Sequence, residues 1–140
     1  MAGLAALVMA AIFFGAAVYI TLAEHPARLG LDDRAALAQW GPSYSRGFAM
    51  QASVAVVSGL FGIGQWWLDG NVLWLAGAAV ILANWPFTML GIMPTNRKLM
   101  AATAGPGGEV RALLVRWGRL HAVRSGLGAV ATGLFFVAAA

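Results

Sequence analysis

Four separate runs of about 20 apolar residues limit this chain to one class of fold. They cover roughly Ala2–Ala23, Gly47–Leu68, Val72–Met93 and Ala122–Ala140. Each run is long enough to cross a bilayer as a helix. Since 61% of the residues are hydrophobic and only 10% are charged, the composition is far from that of a soluble domain. The sequence predicts an all-α integral membrane protein, in which residues 1–140 form a single domain built as a four-transmembrane-helix bundle.

The cysteine count and the charge exclude several other classes. The chain has no cysteine, so disulfides, thiolate catalysis and Cys-ligated zinc or iron–sulfur sites are excluded. The net charge is +4, but the cations interrupt apolar runs and form no basic stripe. We therefore expect the lipid bilayer as a partner and expect no nucleic acid.

The positions of the cations predict how the helices are oriented. The nine Lys and Arg residues fall in two segments, at about 24–46 and 97–124. Because an even number of crossings separates these segments, both lie on one side of the membrane. The positive-inside rule places them in the cytoplasm and places both termini outside. We expect a bacterial inner membrane.

The first connection carries two helix signals. Pro26 disfavours a helical His25, so the first helix is expected to end there. Asp32–Trp40 is typical of a short interfacial helix that is capped by an aspartate and stopped by Gly41-Pro42. Trp40 and Tyr44 are expected to anchor that helix among the headgroups.

The later connections are of different lengths. Asp69-Gly70-Asn71 predicts a tight hairpin between helices two and three, flanked by an outer aromatic belt of Trp66, Trp67 and Trp74. Ala101–Gly108 is expected to be a flexible link. From Glu109 an amphipathic, basic helix is expected to continue into the fourth span, covering about 109–140.

Small residues on helix two predict close packing against its neighbours. Ser58, Gly59, Gly62 and Gly64 leave room for another helix to approach. Gln51 lies on the same helix near its inner end, where it is expected as an interfacial residue.

The third run contains polar residues where lipid disfavours them. Asn84, Thr88, Gly91 and Thr95 follow a 4-3-4 spacing, so they share one helix face. That face should turn inward, toward a small cavity or toward other helices. In the second case the polar groups only bond neighbouring helices or a carbonyl that Pro86 leaves free. The helix is expected to kink at Pro86, to end at Met93 and to continue as a polar, basic loop.

A second polar group is expected at the cytoplasmic ends of helices one and four. Trp117, His121 and Arg124 share a helix face. Arg124 lies near the hydrocarbon edge, where it should snorkel or pair with a carboxylate, and Glu24 is a candidate partner. Tyr19 is expected to belong to the aromatic belt.

The two histidines allow several kinds of site. His25, His121 and Glu24 offer the two-histidine, one-carboxylate set of a non-haem metal, typically iron, and two histidines alone suit copper or haem. The usual short ligand spacings are absent. A pocket for an organic molecule, with His and Arg as polar contacts, is the alternative, and ordinary interfacial histidines are a third possibility.

Several motifs together resemble the anthrone oxygenase family of small four-helix membrane proteins. They are Gly15…Tyr19…Glu24-His25-Pro26-Ala27-Arg28, Trp40…Tyr44, Asn84…Pro86-Phe87-Thr88, Pro94-Thr95-Asn96 and Trp117…Leu120-His121…Arg124. The resemblance implies an oxygenase, an oxidoreductase that acts on a flat, apolar aromatic molecule such as an anthrone or a phenol, which enters from lipid.

The resemblance also implies roles for individual residues. A histidine would remove a proton from the substrate and Arg124 or Asn84 would stabilise the oxyanion, with no cofactor required; a metal held by His25, His121 and Glu24 is the variant. The implied catalytic residues are His25, His121, Arg124 and Asn84. The implied substrate contacts are Glu24, Tyr19, Thr88, Asn96 and Trp117.

The competing class is not enzymatic. The chain has small-residue seams on helices two and four and almost no soluble part. These features suit an accessory subunit of a larger membrane complex, a homo-oligomer, or a lipid- or quinone-binding protein, in which the polar cluster would only stabilise the bundle.

Overall fold

The computed structural model describes residues 1–105 and 108–140, and these ranges contain helices and no strand. The four long helices are α1 (Ala2–Leu29), α2 (Asp33–Asp69), α3 (Val72–Ala101) and α4 (Glu109–Ala139). Each is long and apolar enough to cross a membrane. The predicted all-α class with four membrane-spanning helices is therefore confirmed.

The helices form an antiparallel ring. α1 packs on α2, α2 on α3 and α3 on α4, and α4 closes the ring against α1. Short connections make chain neighbours antiparallel, as in other up-down-up-down bundles. At about 1.5 Å per residue, the 37-residue α2 is roughly 55 Å long, almost twice the ~30 Å of hydrocarbon in a bilayer. Part of the bundle therefore extends beyond the hydrocarbon, at the end that carries the cations.

Helix α1 does not end at His25, so that prediction is wrong. A π-helical turn covers Ile20–Glu24 and the helix then continues to Leu29, with His25 at φ −69° and ψ −42°. Pro26 lies in the first turn after the π-helical segment, where a proline is tolerated because its missing N–H has no partner to lose. The π-helical turn therefore allows the helix to continue through Pro26.

Helix α2 replaces the predicted interfacial helix and its loop. Asp32 caps its start as expected, accepting from the Ala35 N–H at 3.0 Å. The helix then runs unbroken through Pro42 to Asp69. Trp40 is 1% exposed and lies in the core, not among headgroups. Burying an indole of about 150–250 Å² stabilises by roughly 4–6 kcal/mol, which exceeds the ~3 kcal/mol cost of an internal proline.

The hairpin between α2 and α3 is confirmed. Gly70 has φ +72° and its N–H bonds the Trp66 carbonyl at 2.8 Å, while the Asn71 side chain accepts from the Leu73 N–H. Trp74 is not part of an outer belt. Its ring is 3% exposed and packs on Phe135, with 5.7 Å between ring centroids.

Helix α3 is longer and less regular than predicted. Ala83 departs from regular α-helix, close to the expected kink at Pro86, although its N–H still donates to the Ala79 carbonyl at 2.9 Å. A second π-helical turn covers Thr88–Ile92 and a helical segment follows to Ala101, so neither the end at Met93 nor the basic loop is found. Pro94 starts this segment just as Pro26 does in α1. Pro106 and Gly107, within the predicted flexible link, lie outside the described residues.

Two apolar layers of the bundle frame a polar one. The middle of the bundle is packed around Phe13, Ala55 and Ile81. The extended end is packed around Trp40 and Trp117, among other apolar side chains. Along α2, α3 and α4, buried polar side chains lie in sequence between these two layers.

The glycines of α2 allow a direct test of this packing. A Cβ on Gly62 would lie 2.8 Å from Cζ of the fully buried Phe135, whereas a Cβ on Gly64 would have no atom within 4 Å. We expect Gly62→Ala to lower the free energy of unfolding by roughly 1–3 kcal/mol, because a rigid buried ring cannot move aside. Gly64→Ala should leave the free energy of unfolding unchanged or raise it by up to about 1 kcal/mol, since alanine favours a helix. Thermal unfolding of both variants in detergent checks this; equal melting temperatures would contradict the packing.

Candidate functional site

The buried polar layer is the candidate site. Its main side chains are all at most 5% exposed: Gln51, Asn84, Thr88, His121 and Arg124. Burying polar groups is costly unless they find partners. In a bundle surrounded by lipid, such groups indicate function by default.

Two small chambers lie within this layer and share three lining residues, Phe48, Gln51 and Arg124. We call the first the apolar chamber; it is lined by Phe13, Phe48, Gln51, Ala52, Ala55, Asn84, Trp85, Thr88 and Arg124. We call the second the polar chamber; it is lined by Ile20, Glu24, Arg28, Ser43, Tyr44, Gly47, Phe48, Gln51, Trp117, His121 and Arg124.

The chambers are narrow in this conformation. Their volumes are about 10 Å³ and 20 Å³, which is room for about one water molecule each. Pockets that enclose drug-sized ligands are roughly 300–1,000 Å³. An aromatic ligand would therefore have to separate the side chains that line them.

His121 is held by hydrogen bonds from a π-helical turn. Its Nδ1 lies 3.2 Å from the Thr21 hydroxyl, which in turn lies 2.9 Å from the Ser125 hydroxyl. The imidazole also stacks on Trp117, with 4.9 Å between centroids. Because Nδ1 is engaged, Nε2 is the atom left for the polar chamber. A histidine fixed in this way suits proton transfer at Nε2.

Arg124 lacks the predicted carboxylate partner. Glu24 pairs with Arg28 instead, at 2.5 Å, because these residues lie one turn apart on α1. The Arg124 guanidinium lies 5.5 Å from the centre of the Phe13 ring. Its Nε has no hydrogen-bond partner within residues 1–105 and 108–140. A buried N–H donor on a cation beside a chamber can bind a negatively charged oxygen.

Two amides also present polar atoms in this layer. Asn84 donates from Nδ2 to the Ile81 carbonyl at 3.0 Å, while its Oδ1 is without a partner in the described part of the chain. Both Oε1 and Nε2 of Gln51 lack partners there as well. Asn84 thus offers an acceptor, and Gln51 offers an acceptor and a donor.

His25 belongs to a polar network that reaches the polar chamber through Arg28. Its Nδ1 lies 3.1 Å from Nη1 of Arg28, and its ring is wedged against α4, where a Cβ on Gly118 would lie 2.5 Å from Nε2. Arg28 also bonds Glu24 and Gln39. His25 lines neither chamber. The structure therefore gives His25 a packing position behind Arg28 and Trp117, which line the polar chamber.

The predicted metal set does not converge. No group of three His, Asp or Glu side chains that could hold a metal is found among the described residues. Trp117 lies between the two imidazoles, at 5.1 Å from His25 and 4.9 Å from His121. Glu24 is engaged by Arg28 and by the Ser43 hydroxyl. These positions do not fit the two-histidine, one-carboxylate arrangement.

The other predicted site residues are divided between the chambers and the rest of the bundle. Thr88 lines the apolar chamber, and Trp117 and Glu24 line the polar chamber. Asn96 is fully buried but lines neither. Tyr19 is 61% exposed on the outside of α1 and contributes to neither chamber.

Sequence reasoning missed eleven of the seventeen lining residues. Gln51, Tyr44, Phe48 and Trp85 are among them. A signal was present for Gln51, since Gln51, Ala55, Ser58 and Gly62 repeat the 4-3-4 spacing of the polar face of α3, and all four are buried. Tyr44 and Phe48 depend on α2 being one continuous helix, whereas Trp85 lies on α3 beside Asn84.

Comparisons with known proteins agree with the sequence motifs. A family model described as anthrone oxygenase matches residues 39–134, which is more than half of the chain. Anthrone oxygenase tpcL of Aspergillus fumigatus is 47% identical over 55 residues, 36% of this chain and 34% of that protein. The matched part thus covers about a third of that curated relative. No solved structure matches the chain.

Proposed function

Because this chain belongs to the anthrone oxygenase family, we propose that it is a membrane-embedded oxygenase of small apolar aromatic ketones and phenols. It would use dioxygen to convert an activated CH₂ group, as in an anthrone, into a carbonyl. The observation that carries the proposal is the convergence of His121, Arg124 and Asn84 on the two chambers. The Aspergillus fumigatus relative supports the reaction class, since that protein is named an anthrone oxygenase.

The first chemical step is removal of a proton. Nε2 of His121 takes a proton from the CH₂ carbon, and the electron pair delocalises onto the ketone oxygen. The Nε–H of Arg124 donates to this oxyanion. Asn84 is not assigned to the oxyanion, because its Nδ2 already donates to a backbone carbonyl and Oδ1 is an acceptor.

The second step consumes dioxygen. The carbanionic carbon forms a C–O bond with O₂, and the proton on His121 passes to the distal oxygen to give a hydroperoxide. His121, neutral again, then removes the second C–H proton as the O–O bond breaks, and this proton joins the departing hydroxide, which produces the carbonyl and one water. One O₂ is consumed for each CH₂ oxidised, and the route requires no cofactor.

The position of the chambers favours entry of the substrate from lipid. Phe48 and Trp85 line the apolar chamber and pack edge to face, 6.2 Å apart. Trp85 is 39% exposed on the outer surface. Rotation of these two rings would open the chamber between α2 and α3 toward the bilayer.

We place the protein in a bacterial inner membrane, with the cationic end of the bundle in the cytoplasm.

The proposal is tested with purified protein in lipid nanodiscs. Anthrone is added, anthraquinone is measured by absorbance, and oxygen uptake is measured with an electrode. We expect quinone formation above that of empty nanodiscs, with one O₂ consumed per quinone. If the protein binds anthrone but quinone forms no faster than with empty nanodiscs, the proposal is contradicted and a quinone-binding or accessory role is favoured.

A further inference from the structure

We propose that Gln51 determines substrate specificity, selecting aromatic ketones that also carry a phenolic hydroxyl. The inference rests on the proposed function only for the location of the ligand and deepens it by naming the residue that distinguishes hydroxylated from unsubstituted ketones. It concerns recognition in the ground state and includes no chemical step.

Gln51 differs from the other two glutamines of the chain. The Gln65 amide accepts from the Gly3 N–H at 2.9 Å and donates to Asp69 at 3.0 Å. The Gln39 amide bonds Arg28 and Glu24. Gln51 is 1% exposed, more deeply buried than either, yet neither polar atom of its amide has a partner in the parts of the chain that are described. An amide buried in this way is costly unless a ligand completes its hydrogen bonds.

The location of Gln51 fits contact with a ligand. It lines both chambers, as do Phe48 and Arg124. Phe48 lies three residues earlier on the same face of α2, at the wall that we propose as the entrance. A flat molecule that enters beside Phe48 and places its ketone oxygen at Arg124 would have an edge next to the Gln51 amide.

The chemistry of an amide defines the matching ligand. The side chain supplies a donor, Nε2, and an acceptor, Oε1. A hydrocarbon would leave both unpaired, and a simple ketone would leave Oε1 unpaired. A hydroxylated aromatic ketone satisfies both, because its carbonyl accepts from Nε2 and its phenolic hydroxyl donates to Oε1. A site built around such a group discriminates strongly against a ligand that lacks the hydroxyl.

Binding of two related ligands tests this inference. 2-Hydroxyanthraquinone and anthraquinone are titrated into protein in phosphatidylcholine nanodiscs, with quenching of tryptophan fluorescence as the signal and empty nanodiscs as the correction for partitioning. We expect the wild type to bind the hydroxylated ligand at least about tenfold more tightly. In Gln51→Met the ratio of the two dissociation constants should fall to within about twofold of one.

Two further variants give the controls. Gln65→Met, the same substitution on the same helix, should keep the wild-type ratio. Gln51→Glu retains acceptor oxygens and should still prefer the hydroxylated ligand, which covers the case in which Gln51→Met fails to fold. A wild type without preference, or an unchanged preference in folded Gln51→Met, would overturn the inference. Because binding is measured, a preference without any turnover would refute the proposed oxygenation and leave this inference standing.

Discussion

His121→Ala is expected to reduce the rate of anthrone oxidation by roughly 10²–10⁴-fold, the usual contribution of a general base. The loss should appear in kcat, because the imidazole acts on the substrate after binding. The protein should remain folded, since Thr21 and Ser125 keep their own hydrogen bond at 2.9 Å. Turnover of anthrone in nanodiscs measures the effect, and added imidazole should restore part of the rate by occupying the space left by the side chain.

The matched control is His25→Ala. His25 lines neither chamber, but it bonds Arg28 and packs against Gly118. We expect this variant to lower the melting temperature while the folded fraction keeps turnover within about tenfold of wild type. If His25→Ala loses turnover as fully as His121→Ala and imidazole rescues neither, the assignment of the base to His121 is wrong.

Arg124→Met is expected to affect activity and stability in opposite directions. Removing a donor to the oxyanion should reduce kcat/KM by about 10²–10³-fold. The same change removes a buried cation that has no carboxylate partner among the described residues. Replacing a buried charge by an apolar side chain of similar length is often neutral or stabilising, so the melting temperature should stay the same or rise.

Arg111→Met is the control, because it should affect stability and leave activity unchanged. Arg111 pairs with Asp33 at 2.8 Å and donates to the carbonyls of Leu29 and Leu31, so it holds the turn between α1 and α2, and it lines neither chamber. Its replacement should lower the melting temperature and leave kcat/KM nearly unchanged. An Arg124→Met variant with wild-type kcat/KM would remove Arg124 from the mechanism.

The bundle could be predicted from the sequence because its main signal is local. Runs of apolar residues and the Asp69-Gly70-Asn71 hairpin each depend on neighbouring residues, and the structure confirms them. The inward face of α3 was also predictable, since Asn84, Thr88 and Thr95 are all buried as their spacing indicates.

The ends of the helices were not predictable in the same way. Pro26, Pro42 and Pro94 each indicate a helix end, yet each lies in a continuing helix. Two of them follow π-helical turns, which depend on tertiary packing and have no local sequence signal. The third is tolerated because Trp40, two residues before it, is buried in the core.

The candidate site was predictable in its residue types but less so in its pairings. His121, Arg124 and Asn84 line the chambers. The pairing of Glu24 with Arg124 was wrong because Arg28, on the same helix, is closer. The sequence predicts that Gln51 lies at the membrane interface, whereas its true position along the bundle depends on how far α2 extends beyond the membrane.

Photolabelling with benzophenone, itself an aromatic ketone, tests most directly whether an aromatic ketone binds in the polar layer. Protein in nanodiscs is irradiated with benzophenone, with and without excess anthrone, and the labelled residues are identified by mass spectrometry. We expect labels on the walls of the chambers, at Phe48, Gln51 or Trp85, that anthrone suppresses and that Arg124→Met weakens. Labels confined to exposed side chains such as Tyr19, unaffected by anthrone, would contradict it.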